Sequence, residues 1–430
     1  MSVITLPGSK SLTNRALLLA ALAQGQTQLS GVLFSDDTQA CMDALKALGI
    51  DLWIDPDTAR IEVHNPMDRP GRFPHTHAQL FFQASGTLTR FLMPLLAAQP
   101  SGHYVISAES RMQERPLAPL LHSLIQQGAE IESLEHPFKM PLILKPHGLS
   151  GGAISIETKD SSQFASGLLL AAPLARTPVS LTCPDALSKK PYIQMTLALM
   201  KVFGVSVDIA DLDQNQIHIP KTEYISPGEY CIEPDASTAS YFYGAAALLG
   251  CEICVKGIFF HMLQGDTQFL KALEWMGCVV QERTIGIAVI GPAKLRGLGE
   301  WDMTGYTDTF MTLAALAPFA SSPTTLTGLR HTRLQESDRI SAMQEGLSRL
   351  GVRVEQTEDT LTVYPCDLCD MRALDVSSFN DHRIAMALAL VQLKIPGMTI
   401  EGALSVSKTC PDYFERLGGV QALAFHSKSV

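Results

Sequence analysis

Apolar and polar positions follow one another along the chain in two recurring textures. The first is a run that is apolar on nearly every side and opened by a small or acidic residue. Its copies read SLTNRALLLAALAQG from Ser11, TLTRFLMPLLAAQ from Thr87, SSQFASGLLLAAPLA from Ser161, DASTASYFYGAAALLG from Asp235, DTFMTLAALAPFA from Asp308 and DHRIAMALALVQL from Asp381. A helix without a polar face belongs inside a core. The second texture is an amphipathic helix ending at glycine, at Gly49, Gly128, Gly204, Gly277, Gly351 and Gly418. Glycine just past a helix supplies the left-handed C-cap. Behind most copies comes alternating text, such as IDLWID with ARIEVH or VRVEQ with TLTVYP, that reads as paired strands.

Openings of the apolar helices are 76, 74, 74, 73 and 73 residues apart. Such regularity signals internal duplication. Each repeat reads as β-α-β-α-β-β, and six fill the chain. The expected fold is α/β (α+β), with the apolar helices inside a shell of sheets and the amphipathic ones outside. Six repeats around one core would be too large for a single domain. Two domains of three repeats are expected, one over 9–232 and one over 1–8 plus 233–430, with the boundary near Glu233–Asp235.

Composition narrows the function. The 430 residues carry 33 Lys and Arg against 43 Asp and Glu, a net charge of −10. That balance excludes a broad phosphate-tracking surface, so no nucleic-acid partner is expected. No apolar run approaches the ~20 residues of a membrane span, and MSVITLPGSK lacks a secretory pattern, so a cytoplasmic protein without membrane contact is expected. Nine cysteines, an odd number, argue against a disulfide framework. The pairs Cys251/Cys254 and Cys366/Cys369 lack further ligands at zinc spacing and read as incidental thiols. P-loop, dinucleotide-binding, zinc-protease and nucleophile-elbow motifs are absent, and the histidines show no ligand cluster, so no metal or cofactor is expected.

Cations recur where the apolar helices begin. They are Lys10 and Arg15, Arg90, Arg115, Arg339, Arg383 and Lys408. Helix N-termini favour anions because their N–H groups are unpaired and carry about half a positive charge. Cations and helix starts in repeat after repeat of an acidic protein fit a small substrate with several negative groups, trapped where two domains face each other. Asp308 and Glu336 read structurally as a helix N-cap and a first-turn charge.

The motifs PGSKSLTNRALLLAAL, SGTLTR, RMQERP, DSSQF, KPYI, DASTASYF, QGD, QESDRI, NDHRIAM and KTCPDYF resemble the enolpyruvyl transferases. Their order and spacing resemble the 3-phosphoshikimate 1-carboxyvinyltransferases, from Leu6 to about Leu417. The resemblance implies two domains of three βαβαββ units each, an inside-out α/β barrel. It also implies that a hydroxyl of shikimate 3-phosphate attacks C2 of phosphoenolpyruvate and that phosphate then leaves. Carried over residue by residue, it gives Lys10 to both substrates. Gly86, Arg115, Arg339, Arg383 and Lys408 go to phosphoenolpyruvate. Ser11, Arg15, Ser161, Ser162, Gln163 and Tyr192 go to the shikimate partner, with Asp308 at its hydroxyl and Glu336 moving the proton at C3. The family tendency is a monomer, and glyphosate is expected to compete with phosphoenolpyruvate.

The chain departs from the family at several points. Gln83-Ala84 stands for the usual Gly-Asn, Lys189 for a serine, Gln335 for a lysine, His331 for an asparagine, and Arg90 is followed by Phe91. A cation lost at Gln335 and gained at Lys189 conserves charge, so Lys189 is expected to meet the 3-phosphate in its place. Another anionic alcohol as acceptor, or a relative that binds without turnover, is the alternative. The UDP-N-acetylglucosamine enolpyruvyl transferases are disfavoured, because no cysteine lies between Ala84 and Pro116. The RNA 3′-phosphate cyclases, of related architecture, are disfavoured by net charge.

Overall fold

The structure, a computed structural model, describes residues 2–65, 70–184, 191–207 and 215–428. Lys189 lies outside the described residues. The chain divides into two compact units. The N-terminal unit is Gly8–Ile232, and the C-terminal unit is Met1–Pro7 with Glu233–Val430.

Six apolar helices form the cores. In the N-terminal unit they are α1 (Lys10–Leu22), α2 (Gly86–Ala97) and α3 (Gln163–Ala171). In the C-terminal unit they are α4 (Ala236–Leu249), α5 (Phe310–Leu316) and α6 (His382–Gln392). Every residue of α2 and of α4 is buried. Within the C-terminal unit α4, α5 and α6 all touch one another. In the N-terminal unit α2 and α3 pack so closely that a Cβ at Gly167 would lie 2.1 Å from the carbonyl of Arg90. Such contact between helices requires glycine on one side.

The repeat over His77–Lys145 shows the unit of construction. Strands His77–Phe81 and His103–Ser107 run parallel around α2, as a helical crossover allows. Leu142–Lys145 then pairs antiparallel with His103–Ser107, and Glu130–Ser133 forms the edge. Leu80, Ile106 and Leu142 share one buried row, because alternate residues point to the same face. The first and fourth repeats borrow their opening strand from far along the chain. Glu229–Cys231 pairs with Gln26–Ser30, and Ser2–Ile4 pairs with Glu252–Lys256. That exchange sets the unit boundaries at Pro7/Gly8 and Ile232/Glu233.

Two expectations need correction. The sixth repeat has no terminal hairpin among the described residues. Its sheet is Asp375–Ser377 with Thr399–Glu401, and the chain then runs into the helix Tyr413–Lys428. Five of the six helix-ending glycines take positive φ, between 82° and 104°. Gly418 is the exception, because the helix continues through it. Among the described residues no helix is long and apolar enough to cross a membrane.

Candidate active site

In the N-terminal unit Lys10 meets an acid, while Arg15 and Arg90 rest on neutral groups. Lys10, in the first turn of α1, points its ammonium at Asp37, 3.2 Å away. Arg15, one turn on, is 1% exposed. Its guanidinium donates to the Thr196 hydroxyl at 2.8 Å and to the carbonyls of Ser11 at 3.0 Å and Tyr192 at 3.3 Å. It also lies 4.5 Å from the centre of the Phe91 ring. Burial among such groups pulls the Arg15 pKa down to about 9.

Arg90, on α2, is 3% exposed. It donates to the Gln163 side-chain carbonyl at 2.6 Å and to the Pro116 carbonyl at 3.2 Å, and its Nε has no hydrogen-bond partner among the described residues. Burial, with Arg115 nearby, holds it well below its ordinary pKa. Gln163 in turn donates to the Thr87 hydroxyl at 3.4 Å, and its backbone N–H to the Ser161 hydroxyl at 3.2 Å. Ser162 precedes α3 without a side-chain cap. Arg115 lies against Gly86, where a Cβ would come within 2.6 Å of Nη1. Gly86 therefore leaves room for the guanidinium beside the N-terminus of α2. Gln83 has φ of 50°, a left-handed conformation that glycine adopts without cost.

In the C-terminal unit every sequence-assigned cation is clasped by a carboxylate. Asp308 bridges Arg339 at 3.0 Å and Arg383 at 2.9 Å. Arg339 also donates through Nε to Asp381 at 2.8 Å, and through Nη1 to Gln335. Lys408 lies 3.1 Å from Glu336, whose other oxygen meets His382 Nδ1 at 2.8 Å. Burial alone would lower Arg339, but Asp381, Asp308 and Glu336 outweigh it and hold it above its ordinary value. Burial would likewise raise Asp381, and Arg339 turns that into a net lowering.

The local fold explains these positions, and it overturns the structural reading of both acids. Asp308 is not an N-cap: it lies in the 3₁₀ turn Thr307–Thr309 before α5, and its carboxylate goes to the two arginines. Glu336 precedes the helix Arg339–Arg349 and is not in its first turn. Asp338 caps that helix, accepting from Ser341 N–H at 3.1 Å. Arg333 fixes Asp338 at 2.7 Å and the Glu358 carbonyl at 3.0 Å, so the segment carrying Gln335 and Glu336 is held from behind. Asp381 caps α6, accepting from Arg383 N–H at 2.9 Å, and so aims Arg383 and His382. His331 contacts the Thr307 hydroxyl at 3.0 Å, next to Asp308.

Sequence reasoning did not single out Asp37, Asp266, Asp381 or His382 as site residues. Asp266, of the QGD motif, is buried and accepts from the Ser237 hydroxyl at 2.7 Å. Burial, then Asp308, pushes its pKa up to about 7. The signal was present in the motifs DASTASYF, QGD and NDHR, where an acid or a histidine sits beside an assigned helix start. Among the described residues one histidine does enter a cluster: Glu336, Asp381 and His382 offer atoms within 4.8 Å of one another, as a metal would need. Lys408 and Arg339 already place positive charge on two of these groups, which suits proton and anion chemistry better than a second cation.

Known proteins resemble the chain over nearly its whole length. The sequence model of the EPSP synthase (3-phosphoshikimate 1-carboxyvinyltransferase) family matches residues 1–417. The chain is 41% identical over 426 residues to the 3-phosphoshikimate 1-carboxyvinyltransferase of Vibrio vulnificus, covering 98% of this chain and 96% of that one. It is 40% identical over 414 residues to 3-phosphoshikimate 1-carboxyvinyltransferase 2 of Halalkalibacterium halodurans, covering 96% and 90%. The solved EPSP synthase of Acinetobacter baumannii superposes with a TM-score of 0.79 at 25% identity, over 97% of this chain and 95% of that one. With its repeats, its buried cations and its paired acids, the chain belongs to the EPSP synthase family.

Proposed function

We propose a division of labour for the family's reaction, in which the enolpyruvyl group of phosphoenolpyruvate passes to the 5-hydroxyl of shikimate 3-phosphate and phosphate is released. Arg339, Arg383 and Lys408 receive phosphoenolpyruvate, together with Lys10, Arg115 and the backbone at Gly86. Ser11, Arg15, Ser161, Ser162, Gln163 and Tyr192 receive shikimate 3-phosphate. Lys189 meets its 3-phosphate, and Gln335 serves as a neutral neighbour held by Arg339. The observation that carries this reading is the contrast between two acids. Asp308 is shared by two arginines, whereas Glu336 is shared by an ammonium and an imidazole. Acids in unlike settings take unlike tasks.

Anionic substrate competes with Asp308 for Arg339 and Arg383. As the guanidiniums turn to it, the Asp308 carboxylate is released to accept the proton of the 5-hydroxyl. The hydroxyl oxygen bonds to C2 of phosphoenolpyruvate, and C3 takes a proton from Glu336. In the second half C3 gives a proton back to Glu336 as the C2–C3 double bond re-forms, the C2–O bond to phosphate breaks, and the departing phosphate oxygen takes up the proton held by Asp308, which restores both acids. Lys408 and His382 hold Glu336 in place through both transfers. Guanidinium and ammonium groups stabilise the charge that builds on the departing phosphate.

The same reading takes the enzyme to be cytoplasmic, in keeping with an odd number of scattered cysteines that suggests no disulfide framework. Phosphate release tests the function. With both substrates, one phosphate appears per phosphoenolpyruvate consumed. Shikimate without its 3-phosphate, or other anionic alcohols, support far less. Phosphate release that ignores the acceptor would overturn the assignment. So would Lys189→Ala binding shikimate 3-phosphate within twofold of the parent, for that residue's role.

A further inference from the structure

Glu336 rides on a short segment whose two ends are tied to one hairpin. Strands Val354–Gln356 and Leu361–Val363 pair antiparallel, and the turn between them carries Asp359. At the near end the Asp359 carboxylate accepts the N–H groups of Gly328 at 3.2 Å and Arg330 at 2.8 Å. At the far end Arg333 joins the hairpin to Asp338 through all three of its guanidinium nitrogens. Nη1 donates to both Asp338 oxygens, at 3.0 and 2.7 Å. Nη2 donates to the Gln356 side chain at 2.8 Å and to the Thr357 carbonyl, and Nε to the Glu358 carbonyl at 3.0 Å. The Ser341 hydroxyl closes the ring, accepting from Arg333 at 3.2 Å and donating to Asp338 at 3.0 Å. Between these ties the side chains turn to the site: Gln335 to Arg339, Glu336 to Lys408 and His382, and Ser337 to Asp381.

We infer that Arg333 is a positioning residue for Glu336, fixing the backbone from which that carboxylate reaches C3 of phosphoenolpyruvate. The inference rests on the assignment of the C3 proton to Glu336 made above. Proton transfer needs donor and acceptor within hydrogen-bond reach, so a small drift of the segment is costly. Lys408 and His382 set the direction of the carboxylate, and the clamp sets where its chain begins. A guanidinium suits the task because its planar fork fixes several acceptors at once, which an ammonium cannot do. None of its partners (Asp338, Ser341, Gln356, Thr357 and Glu358) is assigned to a substrate, so Arg333 acts through the segment.

The test is phosphate release by Arg333→Met and Arg333→Lys, each made in the parent and in Glu336→Gln, with Tm read alongside to show that every variant is folded at the assay temperature. Arg333→Met is expected to lower kcat about 10²-fold, the cost of a misplacement near 1 Å. Both KM values should stay within about twofold, since substrate binding does not pass through the clamp. Arg333→Lys keeps its charge facing Asp338 but not the fork, and should fall between Arg333→Met and the parent. In Glu336→Gln the Arg333→Met change should cost nothing further in kcat, because the proton no longer passes through that carboxylate. A merely structural role would instead slow both backgrounds alike, and that result overturns the inference. So does a kcat for Arg333→Met within about twofold of the parent while Glu336→Gln is slow. If Arg333→Met does not fold, Arg333→Lys carries the same comparison between backgrounds. If Glu336→Gln alone keeps the parent kcat, the assignment of Glu336 fails, and the inference with it.

Discussion

The two units bury their arginines in opposite ways. In the C-terminal unit Arg339 is balanced by Asp381 and Asp308, and Arg383 shares Asp308, before any substrate arrives. In the N-terminal unit Arg15 and Arg90 are at least as deeply buried, but their hydrogen bonds go to hydroxyl, amide and backbone oxygens. The first arrangement pairs buried cations with carboxylates. The second surrounds them with neutral acceptors, a less favourable setting for a desolvated charge. On the proposed assignment of substrates, Arg339 and Arg383 would give up an acid to bind an anion, whereas Arg15 would gain a charged partner.

The largest expected effect lies at the balancing acids. Asp308→Asn and Glu336→Gln should each lower kcat by about 10²–10⁴-fold, the usual worth of a positioned acid or base. Asp308→Asn should in addition lower KM for phosphoenolpyruvate, because it removes the competitor for Arg339 and Arg383. Steady-state phosphate release gives both quantities, and a rise in that KM would contradict the competition.

Arg339→Met comes next. It strands Asp381 and half of Asp308 in a buried site, and should destabilise by about 3–5 kcal/mol in denaturant titration. A loss below about 1 kcal/mol would mean that Arg339 is not balanced as described.

A pH effect follows from Asp266. Its folded pKa of about 7 lies above the ordinary 3.8, so the folded state keeps a proton that the unfolded chain has lost. Stability from this group is present below the unfolded value and is lost as pH rises towards the folded one. Asp266→Asn, which still accepts from Ser237, should raise Tm at pH 8 and much less at pH 4. Equal shifts at both would remove Asp266 as a titrating group.

The smallest expected effect is at the departure Gln83. Its left-handed backbone should make Gln83→Gly more stable by about 1 kcal/mol, a gain of a few degrees in Tm. A loss of Tm would mean that the glutamine side chain earns its place by other contacts.

Much of the fold was legible because a helix with no polar face has only one place to go. The 3.6-residue texture and the closing glycines therefore located both kinds of helix. Gly418 misled because the same short signature can lie inside a longer helix, and nothing local marks the continuation. The expected bounds, 1–8 plus 233–430, already put Ser2–Ile4 with the C-terminal repeats, but the strands with which Ser2–Ile4 and Glu229–Cys231 pair were not legible, since a strand's own pattern does not name its partner. For the site, the cations could be read from their recurrence, and their assignment came from family resemblance. The roles of the acids likewise came from that resemblance, and their contacts could not be read at all, because the partners of Asp308 are 31 and 75 residues away in sequence. An acid at a helix start reads as a cap until those partners are seen.

The difference between the units is tested most directly by the melting temperature of Arg15→Met, with and without shikimate 3-phosphate. Without ligand the variant should melt at or above the parent temperature, since an uncompensated buried cation has gone. Shikimate 3-phosphate should then stabilise the parent strongly and the variant hardly at all. A variant that melts several degrees lower without ligand, or that is stabilised as much as the parent, would contradict the claim that this arginine is held for an anion.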